Sequence, residues 1–301
     1  MDIVRPVTVT DAVLTASNVA ETPTLFSLAT NYGAGALVYV VESNVHQGYT
    51  SAQAANLNHP PTTDDGTWWI ATGPTNRWAM FDDASNSVTT NATSIAVTLA
   101  LPASERMNVV WLAGLLGRTV QVEVTDATAG PVYDETFSLA DTAGITDWYS
   151  WLFDPVSYKT ELLVTDLPSG AGSTLDVTVN FPGDTAAIGN LVTGLRKYIG
   201  RTRWGVQTEI RDYSVFEDDA FGNRVLIERA YRRLASGQVL VENRVKDAVE
   251  RLLADCRAAA RLYIFDEDYT TLVVFGLARW ANEMSLPPSY SVNSIQIEGN
   301  V

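Results

Sequence analysis

The chain has 301 residues, 46% of them hydrophobic, with a mean hydropathy close to zero. That is enough for two or three domains with real cores, and it excludes a disordered tail or a simple repeat fibre. The net charge of −15 works against a phosphate backbone, so nucleic acid is not an expected partner.

Other classes fall away on pattern. The longest apolar run, "MNVVWLAGLLG" at 107–117, ends at Arg118, far short of the roughly 20 residues of a membrane helix. No membrane partner is expected. The start, "MDIVRPVTVT", lacks the pattern of a signal peptide, and the lone Cys256 excludes an internal disulfide framework. Cytoplasmic synthesis is the simplest expectation. Charge is unevenly spread. Residues 1–183 carry five Lys/Arg against 19 Asp/Glu, and residues 184–301 carry 15 against 16. Such a break suggests two bodies with different surroundings.

In chain order, residues 1–30 are rich in Thr, Val and Ala, with Pro6 and Pro23. They read as an extended arm or edge strands. No partner for them is evident in the chain, which suits an arm that pairs with a neighbouring subunit. "YGAGALVYVVES" (32–43) reads as a glycine turn and a strand. "NHPPTTDDGTWWIATGPTN" (58–76) places turn signals around a short "TWWIA" strand. From residue 86 the pattern is all strand. "TVQVEVTDA" (119–127) alternates cleanly, with Val120, Val122 and Val124 on one face, and "STLDVTVNF" (173–181) repeats the idea. Turn signals every 10 to 20 residues suit a β-sandwich of jelly-roll type. "PGDTAAIGN" (182–190) reads as a boundary.

Beyond it the grammar changes. "WGVQTEIRDYSVFEDDAFGNRVLIERAYRRL" reads as two strands around a turn at Phe221–Gly222–Asn223. "VENRVKDAVERLLADCRAAAR" (241–261) predicts one long helix, with Val245, Ala248, Val249, Leu252, Cys256 and Ala259 as its apolar stripe. Two more strands follow. The expected architecture is mainly β with an α+β C-terminal domain. Its modules are an N-terminal arm and small β module (1–82), a β-sandwich (83–183) and an α+β module (184–301).

The search for chemistry yields no catalytic residue, no cofactor and no metal. His46 and His59 lack a Gly-x-Ser-x-Gly elbow to form a triad with, and no Cys pair or His-x-x-x-His spacing offers a zinc site. "LPSGAGST" (167–174) lacks the phosphate-loop Lys and reads as a turn. The acidic runs 217–219 and 266–268 lack calcium-loop spacing. Eight Trp remain. Each can fill a core or joint, or stack on a sugar ring. Trp68 and Trp69 are neighbours on one strand and face opposite sides, so one can be core while the other is free. With Trp148 in "DWYSWLFDP" (147–155), they are the candidate glycan contacts. In "GPTNRWAMFDD" (73–83), Trp78, Met80 and Phe81 are the candidate domain joint, with Arg77 and Asp82 as polar clamps.

The order of Tyr, Gly, Val and Pro, then "WW" and "GPTNRWAMFDD", resembles the small module that opens many tailed-bacteriophage virion proteins. "WYSWLFDP" followed by "TDLP" is similar to a stretch of the galactose-binding-like, carbohydrate-module β-sandwich that follows it there. The last module is similar to a phage pattern carried here by Gly200, Thr202, Asp212, Tyr213, Ser214, Asp218, Asp219, Phe221, Gly222, Asn223 and Arg232. At 45–46, Val-His stands where chitin-binding-like relatives carry an aromatic. The resemblance implies a non-enzymatic structural protein of the phage tail tip or baseplate. Its implied partners are copies of itself and other phage tail proteins. The alternative is a carbohydrate-binding module that adsorbs to host-surface glycan.

Overall fold

The computed structural model describes all residues except 43–44, 85, 219–223, 285–288 and 301. It is mainly β, with 53% of residues in strands and 10% helical, so the helical part of the expected α+β region comes down to a single ten-residue α-helix and short turns. The chain forms two compact units. One contains Val7–Val192; the other joins Met1–Pro6 to Thr193–Val301. The expected turn Phe221–Gly222–Asn223 lies outside the described residues.

The unit Val7–Val192 is β-sandwich-like. Its largest sheet is antiparallel and five-stranded, in the order Gly130–Ser138, Thr119–Asp126, Thr174–Ile188, Thr89–Ala100, Leu14–Ser17. Strict alternation sets the inner face. Val120, Val122 and Val124 are fully buried, and so are Leu175, Val177 and Val179 on the paired strand. Val110 and Leu112 of Val109–Ala113, and Val164 of its partner Glu161–Thr165, join the same core. A second sheet has four strands: Thr24–Leu25, Leu37–Glu42, Val45–Ser51 and Trp69–Pro74.

The expected boundary at 182–190 is a β-bulge. Thr174–Ile188 pairs with Thr89–Ala100 on both sides of it, and the register shifts between Asn180 and Thr185. Pro182 cannot donate to the ladder, so the chain loops out there and pairing resumes. The contact pattern divides the chain at 192/193, and the small four-stranded sheet shares a unit with the sandwich strands.

In the second unit the strand order is Asn190–Tyr198 (from residue 193 on), Asp2–Pro6, Arg261–Ile264, Val273–Met284, Tyr290–Gly299, Tyr231–Glu242, with Arg201–Thr202 and Gln207–Asp212 both on the last strand. The first residues are therefore not a free arm. Asp2–Pro6 is hydrogen-bonded on both edges, and Ile3 and Val4 are buried. Gly194 makes room for this strand: a Cβ there would lie 2.1 Å from the Arg5 carbonyl oxygen.

Two further expectations change. The residues around 207–242 form two nested pairs, Gln207–Asp212 with Tyr231–Glu242 and Val215–Asp218 with Arg224–Ile227. The helix is Lys246–Asp255, shorter than 241–261. Val241 and Glu242 still pair as strand with Ser291 and Tyr290, and Ala258 has a φ of 57°, outside the helical region. Its buried residues are Val249 and Leu253, and Cys256 at its C-terminal cap is buried too; Val249 and Cys256 belong to the expected stripe and Leu253 does not.

Candidate functional site

The segment 73–83 folds back on itself. Gly73 adopts a φ of 97°, which favours glycine, at the end of its strand. The Trp78 and Ala79 amides then donate to the Thr75 carbonyl, both at 2.9 Å, and Ala79–Phe81 forms a 3₁₀ turn. Trp78 and Met80 lie in the sandwich core, with Phe81 packed against it. Trp78 is 1% exposed and meets His46 of the four-stranded sheet, ring centres 4.6 Å apart. Asp82 accepts hydrogen bonds from the Ala84 amide and the Ser87 hydroxyl, and its burial pushes its carboxyl upward. Arg77 does not reach it: among the described residues no ion pair joins them, and Arg77 Nε is buried without a hydrogen-bond partner. Asp82 closes its own turn instead.

His46 was not legible as part of this cluster. Its ring stacks on Tyr39 at 4.8 Å, so an imidazole takes the aromatic place between Tyr39 and Trp78. Nε2 lies 3.1 Å from Asp11, and Nδ1 lies 3.2 Å from Glu21 without hydrogen-bond alignment. Trp78 Nε1 donates to the same Glu21 oxygen at 3.1 Å. One signal was available: Val45-His46 stands where an aromatic is expected.

The candidate glycan contacts separate. Trp69 is 2% exposed, packs edge-on to Phe26 and Tyr32, and donates its indole N–H to the His59 carbonyl at 2.7 Å. It is interior, so it offers no face to a sugar. Trp68 lies just before the strand, with one face stacked on His59 at 3.9 Å. Asp64 fixes both, accepting from their backbone amides at 3.0 and 2.9 Å. Trp148 is 72% exposed. It opens the short helix α1 (Trp148–Phe153), capped by Asp147, which accepts from the Ser150 amide at 2.8 Å. That bond holds the Asp147 carboxyl below its usual value. The structure does not bring Trp148 together with Trp68 and Trp69 in a common aromatic cluster.

The site that periodicity missed is in the other unit. A cavity of about 540 Å³ lies between the strands and the helix α2 (Lys246–Asp255). Ile199, Leu240, Val245, Ala248, Val249 and Leu252 line it, with Tyr198 and Tyr290. Its volume falls within the usual range for ligand pockets. Charged residues Lys197, Arg201, Arg244 and Glu242 also line it, three positive against one negative. Glu242 pairs with Arg244, while Lys197 and Arg201 have no ion-pair partner among the described residues. Of the expected stripe, Val245, Ala248 and Leu252 line the cavity, Val249 lines it and also belongs to the core, and Cys256 is in the core with Leu253. An apolar surface broader than one buried stripe was the available signal.

The same unit exposes a β-ribbon. Every residue of Gln207–Asp212 is exposed, as are the large side chains Phe216, Leu226 and Tyr231, and Trp204 is fully exposed. Charge follows the division into units. Val7–Val192 has four Lys/Arg against 19 Asp/Glu, hence −15; the other unit has 16 against 16 and is neutral.

The loop 167–174 is a turn closed by Asp126, which accepts from the Gly170 amide at 2.8 Å. Asp266 likewise accepts from the Asp268 amide at 3.0 Å. Among the described residues no three His, Cys, Asp or Glu side chains are grouped as a metal site, and no helix is long and apolar enough to cross a membrane. No family model, curated protein or solved structure matches the chain.

Proposed function

We propose that this chain is a non-enzymatic structural protein that works by association, with copies of itself and with other tail proteins of a tailed-phage virion, in the tail tip or baseplate region. The observation that carries the associative part is the neutral unit. It combines an apolar cavity with a ribbon of exposed large apolar side chains, and such surfaces on soluble proteins mark interaction sites. A neutral surface also approaches its neighbours without the repulsion that a −15 unit brings. The virion assignment rests on the sequence resemblance. So does the galactose-binding-like character of the sandwich, whereas its jelly-roll type rests on the spacing of turn signals and a module boundary near 82 on the change of sequence pattern there. In this reading Trp78, Met80 and Phe81 join the small sheet to the sandwich strands. The test is a side-chain-resolution map of the tailed particle encoded with this chain. The expected result is density for the chain in a ring or trimer about the tail axis, with contacts from the neutral unit. Contacts confined to the acidic unit, or turnover of a surface polysaccharide by the purified chain, would refute it.

A second reading has one observation in its favour. Trp148 and Trp151 stand exposed on α1, as a sugar-stacking platform requires. It predicts glycan binding that is lost in Trp151→Ala. A glycan array with no hit for the unmodified chain removes it.

A further inference from the structure

Two features of the chain complement each other. Helix α1 lies within an excursion closed by the pairing of Ala140–Asp141 with Ser157–Tyr158. Trp148, Tyr149, Trp151, Leu152 and Phe153 are each between 55 and 72% exposed. Nothing among the described residues covers them. Residues 139–158 hold three acids, Asp141, Asp147 and Asp154, and no Lys or Arg. This is an apolar, aromatic knob with negative flanks. The cavity beside α2 has the opposite character, with apolar walls, two tyrosines and the cations Lys197, Arg201 and Arg244.

We propose that the aromatic knob 145–156 of one copy docks into the α2 cavity of a second copy. This rests on the association reading above and names its contact. Apolar burial supplies the attraction: each aromatic ring can remove a large area from water, and the cavity has room for a ligand-sized group. Charge sets the register. Lys197 and Arg201, which have no ion-pair partner among the described residues, meet Asp147 and Asp154, and either cation can also lie over a tryptophan face. A second copy is the occupant that charge favours. The knob belongs to the −15 unit and the cavity to the neutral one, so this pairing avoids acidic-on-acidic contact. The contact joins different surfaces on the two copies. Repeated, it closes into a ring where the rotation allows and otherwise runs on as a filament.

The experiment is sedimentation velocity of the full chain over a concentration series. Four variants accompany it: Lys197→Glu with Arg201→Glu, Asp154→Lys, those three changes combined, and Ala248→Trp, which fills the cavity. Asp154 is chosen because its side chain does not cap α1, whereas that of Asp147 does. Circular dichroism and melting confirm that each variant folds. The expected result is self-association that weakens about tenfold or more in the two charge variants and in Ala248→Trp, and recovers in the combination. A fluorescent synthetic peptide of residues 145–158 binds the unmodified chain and not Ala248→Trp. The inference is overturned if the unmodified chain is a monomer at every soluble concentration. It is also overturned if association ignores the charge variants and Ala248→Trp, or if dodecanoate fills the cavity and leaves association unchanged. A chain that self-associates in this way but is absent from the tailed particle sinks the virion reading alone. A chain found in the particle but making its contacts elsewhere sinks this inference alone.

Discussion

The two compact units differ in how much of their apolar surface is packed into a core. In Val7–Val192, alternating strands turn their valines and leucines into a large core, a small second cluster gathers around Trp69, and the unit carries a net charge of −15. In the other unit the core is smaller, one helix face lines a 540 Å³ cavity, and a ribbon leaves large apolar residues in water. Unfilled apolar volume and exposed aromatics are unfavourable for an isolated chain. The cavity and most of the exposed aromatic rings lie in the neutral unit, where self-repulsion is least, while the acidic unit exposes its aromatic rings at 148–153.

Mutations can break or sharpen this contrast. The largest effect is expected at the filled core. Trp78→Ala removes a buried ring that touches both His46 and the sandwich, and costs about 3–5 kcal/mol in chemical denaturation. A loss below about 1 kcal/mol would show that the filled core is not what stabilises that unit. Next comes a paired test on α2. Leu253 is buried and Leu252 faces the cavity, so Leu253→Ala costs about 2–5 kcal/mol and Leu252→Ala clearly less. Equal losses would erase the distinction between core stripe and cavity wall. Lys197→Glu with Arg201→Glu changes stability by less than about 0.5 kcal/mol, since both side chains are exposed and lack ion-pair partners among the described residues. A larger loss would give them a role in the fold instead.

The smallest effect is electrostatic. Burial raises the carboxyl of Asp82, so its ionisation opposes folding. That cost is absent well below the ordinary carboxylate pKa of about 4 and grows as pH rises through it towards the raised folded value. Asp82→Asn removes the titration. Relative to that variant, the unmodified chain should lose stability slightly between acid and neutral pH. A difference that stays flat, or has the opposite sign, contradicts the burial argument.

Much of the first unit was legible because period-2 alternation has one physical reading. Val120, Val122 and Val124 cannot all be buried unless the chain is a strand with one wet face. Trp69 is buried and Trp68 only partly so, but Trp68 precedes the strand, so alternation is not what separates them. Local signals failed where partners are distant in sequence. Asp2–Pro6 carries no pattern that points to residues 193–198 and 261–264, so a doubly paired strand read as a free arm. Pro182–Gly183 has the same composition in a linker as in a bulge, and only the resumed pairing at Thr185 tells them apart. The helix was found, but its period cannot show which of two adjacent stripes meets the core. Leu253 is buried in the core, while its neighbour Leu252 is partly buried against that core and also lines the cavity.

The central claim is that the neutral unit makes the contacts. Hydrogen exchange on the chain, dilute and then assembled, tests it most directly. The account predicts new protection at 197–201, 240–252 and along the ribbon strands at 207–218 and 224–231, together with 145–156 on the acidic unit. Protection confined to the acidic unit, with the cavity and the ribbon exchanging as fast as in the dilute chain, would contradict it.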